Sequence, residues 1–502
     1  MTHPTAVEAE LARRRRSPLG WLVMLVALAL VLALIFAVLL LLRLVGGSAP
    51  RYADAEEHFR YGSIGSEVAS GLPERVWLAL PYLFPEEFDG RTDYSGFGFL
   101  YERERKLPIG IGQDSRAGVD LVWFNCAVCH AGTYRTTPQD APTIVSGMPA
   151  NNLDLGAFTE FVLGIADDPR MAPEPLMAAM EEAGVGLGPL DKLIWQLTVF
   201  PRLREGLLDQ AAQLKPLLAR QPDWGRGRVD TFNPYKVIAF RMNGAELAES
   251  EVVGASDFPS IFLQGPRDGM WLHWDGNNDS LAERNLSAAL GAGVTPETVD
   301  HRNIERVASW LADLPPPPSP HDPYPAAVTR GTEIYMAECA ACHGYQSPEG
   351  YVFEGEYLGE VEPLANVGTD PARLNSYTQA FSDRQKAELF AGTPHAFRRF
   401  RKTEGYANGP LDGLWLRGPY LHNGSVPTLA DLLEPPEQRP VRFSRTSDVI
   451  DPQGGFISPD CSSGDPGCFD TTLPGNSNAG HVYGTDLSSA DKSDLLAYLL
   501  TF

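Results

Sequence analysis

The chain has 502 residues, long enough for two or three domains with sizeable cores, and 43% of it is hydrophobic, which excludes broad disorder. Its formal net charge is −23, and the first 50 residues are net basic, so the remainder is more acidic than the whole. That balance argues against nucleic acid as a partner and suits a solubilising surface or the steering of a basic protein partner.

Residues 1–17 form a basic tail with Arg13, Arg14, Arg15 and Arg16. Residues 18–42 carry no charge, and a transmembrane anchor is expected over 18–43, about the length that crosses a bilayer core as a helix. Basic residues before an apolar span stay cytoplasmic. The expected location is the bacterial inner membrane, single-pass, with the N-terminus cytoplasmic and the body in the periplasm. Gly46-Gly47-Ser48-Ala49 offers a weaker alternative, a cleaved leader.

Residues 51–110 are rich in aromatic residues and glycine and read as loops and short strands. They lead to Cys126-Ala127-Val128-Cys129-His130, and Cys339-Ala340-Ala341-Cys342-His343 repeats the pattern downstream. Two cysteines three apart, followed at once by histidine, form the attachment site of a c-type haem. Two copies imply two covalent haem c groups, held by Cys126, Cys129, Cys339 and Cys342, with His130 and His343 as proximal iron ligands. A zinc site and a redox dithiol are the competing readings.

Between the pentads, Leu190 to Leu197 and Leu203 to Leu218 show the three-and-four spacing of amphipathic helices. The stretch Trp271-Leu272-His273-Trp274-Asp275-Gly276 is either a packed aromatic loop or the edge of a haem site, where Trp274 could mediate electron transfer. Glu283 and Arg284 follow as candidate acid–base groups. Residues 305–314 read as a helix end, and Pro315 to Pro320 cannot continue it. The expected organisation is a first haem domain with helical insertions over 51–314, a Pro-rich linker over 315–325, and a second cytochrome c-like haem domain over 326–502. The fold class expected is mainly α, with long loops.

In the second domain, Gly331 and Tyr335 precede Cys339 by eight and four residues, and a helix is expected over 490–500. This resembles the small cytochrome c fold, in which first and last helices cross at a glycine and an aromatic. Gly118 and Val122 stand at the same offsets before Cys126.

No methionine follows Met336, so the sixth ligand of the second haem falls to His481, with His422 and His395 as alternatives. For the first haem, Met148 and His273 are both open, as is no ligand at all. Cys461 and Cys468 remain for a disulfide, as an exported chain permits.

The residues Phe124–His130, Leu272–Asn278 with Glu283-Arg284-Asn285, Arg417–Leu429 and Gly480-His481 resemble those of the di-haem cytochrome c peroxidase superfamily, closest to the rubber oxygenase-like di-haem cytochromes. The resemblance implies a tryptophan near the inter-haem path, a reactive first haem and a bis-histidine second haem acting as relay. The function expected is electron transfer coupled to peroxidase- or oxygenase-like chemistry, using a redox partner protein and a small oxidant such as peroxide or oxygen. The alternative is a non-catalytic cytochrome passing electrons between a membrane complex and a soluble partner.

Overall fold

The computed structural model describes residues 18–45 and 49–502. The basic tail 1–17 and Gly46-Gly47-Ser48 lie outside the described residues. Helix α1 (Pro18–Val45) is apolar, and the window Pro18–Ile35 has a mean hydropathy of 2.7 with none of it buried. By length and composition alone it could cross a membrane.

The fold is mixed: 43% helix and 11% strand. This corrects the mainly α expectation, and the reason is local. Short ladders brace the loops around both pentads, and all but one of these sheets have two strands.

The segment before the first pentad, expected as loops, holds helices α2 (Ala55–Tyr61), α3 (Ser66–Ser70) and α4 (Glu74–Leu83). Asp54 caps α2 by accepting from the Glu57 amide. Strands β1 (Ile111–Arg116) and β2 (Val119–Phe124) then form a hairpin, with Ile111 opposite Phe124 and Arg116 opposite Val119. Gly118, at φ 75°, sits in its turn. The segment at the offset of a cytochrome's first helix is therefore strand, because Gly118 turns the chain instead of admitting a crossing helix.

Helix α5 (Leu155–Gly164) meets α4 at an aromatic cluster, and helix α6 (Phe200–Leu218) packs on α5. Trp77, fully buried, stacks on Tyr94 at 4.1 Å, and Phe158 and Phe161 close the cluster. Leu190, Leu193 and Leu197 lie on the exposed side of the turns before α6, so that stretch is helical but presents its leucines outward.

Helices α7 (Leu281–Gly291) and α8 (His301–Ala312) precede the proline run. The run lies against the C-terminal part of the chain, where Trp415 donates through Nε1 to the Pro317 carbonyl at 3.2 Å. Helix α9 (Pro325–Glu338) crosses the last helix near Gly331. The short helix α10 (Leu429–Leu432) and helix α11 (Ser489–Leu499) complete this part. A Cβ at Gly331 would stand 2.0 Å from the Asp494 carbonyl oxygen, so only glycine permits the approach. Tyr335, fully buried, meets Tyr498 at 5.1 Å and Phe502 at 5.2 Å. This is the glycine–aromatic crossing anticipated for the second domain. Cys461 and Cys468 are joined, with Cα atoms 5.8 Å apart.

Candidate haem sites

The second pentad begins where α9 ends. Cys339 terminates the helix, its amide still bonded to the Tyr335 carbonyl at 2.8 Å. One turn carries Cys342 and His343. His343 Nδ1 lies 2.8 Å from the Gly409 carbonyl. A carbonyl only accepts, so Nδ1 holds the proton and Nε2 is the free lone pair.

The ring facing His343 is that of His481, with centroids 6.3 Å apart and planes inclined by 40°. An iron between two imidazoles, with metal–nitrogen bonds of about 2.0 Å, separates ring centres by about 6 Å. The observed separation therefore fits two axial ligands on one iron. Burial pushes the His481 imidazole down to about 4, with His343 as a further cause, and burial also lowers His343. Both rings are thus neutral, the form that binds metal.

His481 has a positive φ of 47°, and the Arg439 guanidinium donates to the carbonyls of Gly480 at 2.8 Å and His481 at 3.1 Å. The loop that presents His481 is held from behind. His422 and His395 stand elsewhere. His422 Nε2 is 3.1 Å from the Tyr406 hydroxyl, its ring 4.3 Å from the tyrosine ring. His395 stacks on His301 at 3.6 Å.

The first pentad follows the β1–β2 hairpin. Asn125 organises its turn: Oδ1 accepts from the Ala127 amide at 2.9 Å, and Nδ2 donates to the Gly62 carbonyl at 3.0 Å. His130 Nδ1 donates to the Pro259 carbonyl at 2.9 Å, the same device as at His343. Burial lifts the Cys126 thiol to about 11 and those of Cys129 and Cys339 to about 12, and it raises Cys342. Thiols held protonated are poor redox nucleophiles, which counts against the dithiol reading.

Met148 and His273 lie in different surroundings. Met148 is fully buried with Phe262, Trp415, Leu416 and Phe456, a cluster separate from those that take in Cys126 and Cys129. His273 Nδ1 donates to Asn277 Oδ1 at 2.6 Å, leaving Nε2 free, and its ring lies along Phe400. Phe400 belongs to a cluster that Cys126 packs against, which places His273 on the side of the first pentad. Glu283, read as a candidate acid, is occupied: its carboxylate accepts from the Arg398 and Arg399 amides at 2.9 and 3.0 Å. Among the described residues, no three His, Cys, Asp or Glu side chains converge as a metal site. Paired imidazoles suit an iron whose other four ligands are porphyrin nitrogens.

An internal repeat escaped the sequence reading. Leu272 to Glu283 aligns without a gap on Tyr420 to Asp431. Each copy opens with a bridge, Leu272 to Asn278 and Tyr420 to Val426. Each has its second residue at positive φ, His273 at 64° and Leu421 at 68°, and a glycine at the fifth, Gly276 at 59° and Gly424 at 63°. Each ends in a capped helix start, where Ser280 accepts from the Glu283 amide and Thr428 from the Asp431 amide. The signal was there in Ser280-Leu281-Ala282-Glu283 against Thr428-Leu429-Ala430-Asp431. In this register Trp274 corresponds to His422. The two meet at one residue: Trp274 Nε1 donates to the Asp257 carbonyl at 2.9 Å, and the Asp257 amide donates to the His422 carbonyl at 2.9 Å.

A family described as RoxA-like, cytochrome c-like matches residues 405–444, the stretch holding Tyr406, Gly409, Arg417 and His422. This supports a rubber oxygenase-like cytochrome at a coarse level and suggests covalently bound haem c. The chain is 27% identical over 523 residues to the uncharacterized protein y4iJ of Sinorhizobium fredii (strain NBRC 101917 / NGR234), covering 82% of this chain and 84% of that protein. It is 32% identical over 205 residues to the uncharacterized protein y4iM of the same organism, covering 38% of this chain and 46% of that one. Over residues 405–444 the chain is thus similar to a cytochrome c-like domain.

Proposed function

We propose that this chain is a di-haem c-type cytochrome, tethered to a membrane by α1, in which the second haem relays electrons to peroxidase- or oxygenase-like chemistry at the first. The observation that carries the reading is the facing pair His343 and His481, with ring centroids 6.3 Å apart. The matching Nδ1-to-carbonyl arrangement at His130 supports a second haem at the first pentad. The repeat around Trp274 and His422 supports two related halves, as the di-haem peroxidase resemblance implies.

A haem held at each pentad supplies a one-electron iron couple and, where its sixth position is open, a place for oxygen or peroxide. The residues of the chain do the rest. Gly409 and Pro259 hold the proximal rings in one tautomer, and Arg439 fixes the loop of His481 so that its imidazole closes the second site. Trp274 lies against the Asp257 backbone that also binds the His422 turn, a position suited to conduct between the halves.

A second reading, the electron carrier without catalysis, is favoured by His273, whose Nε2 is free beside the first pentad. Spectra separate the two. The oxidised protein is examined by optical and electron paramagnetic spectroscopy, then reduced and exposed to carbon monoxide, or treated with peroxide. One high-spin haem that binds these ligands supports the enzyme. Two low-spin, unreactive haems refute it and leave the carrier.

A further inference from the structure

A line of half-buried guanidiniums runs between the two pentads, and neither the axial histidines nor Trp274 uses it. Arg284 on α7 donates through Nη2 to Gln264 Oε1. The backbone carbonyl of Gln264 accepts from the Arg267 amide at 3.1 Å. Arg267 reaches Asp412 Oδ1, and Arg417 donates to the same oxygen at 3.0 Å. Arg417 also donates through Nη1 to the Pro410 carbonyl at 2.8 Å. Pro410 follows Gly409, the residue that orients His343. The line therefore starts on α7, whose Leu286 lies in a cluster that Cys126 packs against, and ends one residue from the carbonyl that holds His343.

Its charges do not balance. Arg267 and Arg417 are 11% and 18% exposed, and they share the single carboxylate of Asp412. Arg284 has no carboxylate partner among the described residues, and the Nε atoms of all three arginines are buried without one. Cations removed from water without counter-charge are strongly unfavourable, so this line calls for anions. The planar fork of arginine matches carboxylate oxygens in pairs. Each haem carries two propionate carboxylates on one edge.

We infer that Arg284, Arg267 and Arg417 seat the propionates of both haems, with Arg267 shared between them, so that the two propionate edges face each other across one cationic line. The inference rests on the di-haem reading. These arginines are positioning residues. They hold the haems edge to edge and, as nearby cations, favour the electron-richer ferrous state of each.

The test is a redox titration of the purified full chain, with the two haems distinguished by their electron paramagnetic signals. Arg267→Leu is expected to shift the ferric-to-ferrous ratio of both haems about tenfold toward ferric at fixed potential, about 59 mV for each one-electron couple. Arg284→Leu shifts the first haem alone, and Arg417→Leu the second alone. Arg267→Lys, which keeps the charge, shows little of the shift. Should Arg267→Leu fail to fold, Arg267→Gln carries the same expectation. Midpoints unmoved in the folded variants overturn the inference. So does a wild-type midpoint that follows added phosphate and loses this dependence in Arg267→Gln, because the line would then take a free anion. A pyridine haemochrome count on the wild type separates the two levels. Fewer than two haems per chain defeats the di-haem reading itself, whereas two haems with unmoved midpoints defeat only the arginine seat.

Discussion

Glu67 packs against the β1–β2 hairpin that leads into the first pentad, and replacing it by glutamine should stabilise the protein only above acidic pH. Its carboxylate is fully buried, with Oε2 accepting from Ser63 Oγ at 2.7 Å and Oε1 without a partner. The next residue back, Ser66, donates to the Phe124 carbonyl, two residues before Cys126. Burial is the main reason the Glu67 carboxyl is raised from 4.5 to about 7, and hydrogen bonds from Ser63 and the backbone only partly oppose it. The unfolded chain therefore ionises near pH 4.5, while the folded protein keeps the proton until about pH 7. Stability falls as pH rises through that window and is level above it. A shift of this size corresponds to about 3 kcal/mol. Glu67→Gln removes the titration and keeps an acceptor for Ser63. Its gain over wild type should be near zero at pH 4.5 and approach about 3 kcal/mol at pH 8, read by urea unfolding followed by circular dichroism. A gain of the same size at every pH would refute the reasoning, because the buried ionisation would then not be the cause.

Three further outcomes are expected. His481→Ala should convert one haem from six-coordinate low-spin to a form that binds imidazole added to the solution, whereas His422→Ala should not. The reverse pattern in optical spectra would exchange their roles. Gly331→Ala should cost about 1–3 kcal/mol by overpacking, after the small helix-propensity gain of alanine, because its methyl meets the Asp494 carbonyl. Thermal unfolding measures this, and an unchanged midpoint would show that α9 and α11 separate freely. Met148→Leu, a swap of similar volume in the Phe262–Trp415 cluster, should cost under about 1.5 kcal/mol and leave the haem spectrum unchanged. Loss of a low-spin signal would instead make Met148 a ligand.

Much of the candidate site was legible because it is contiguous. Attachment cysteines and proximal histidine occupy five adjacent residues, so the chemistry is written without any knowledge of the fold. The crossing of α9 and α11 was legible too, since Gly331 and Tyr335 keep fixed offsets from Cys339 and residues 490–500 read as a helix. The same offsets misled at Gly118, where positive φ serves a hairpin turn. The helices of residues 55–83 were missed because they are short, and short helices owe their stability to tertiary packing more than to their own pattern.

Sequence by itself determined where covalent attachment can occur, that methionine is absent after Met336, and that an apolar span leads the chain. Tertiary structure alone decided that His481, and not His422 or His395, faces His343, that Trp274 and His422 meet at Asp257, and that three arginines line up between the pentads. Attachment depends on neighbours along the chain. An axial pair or a charge line depends on residues brought together across more than a hundred positions, and only packing sets those distances.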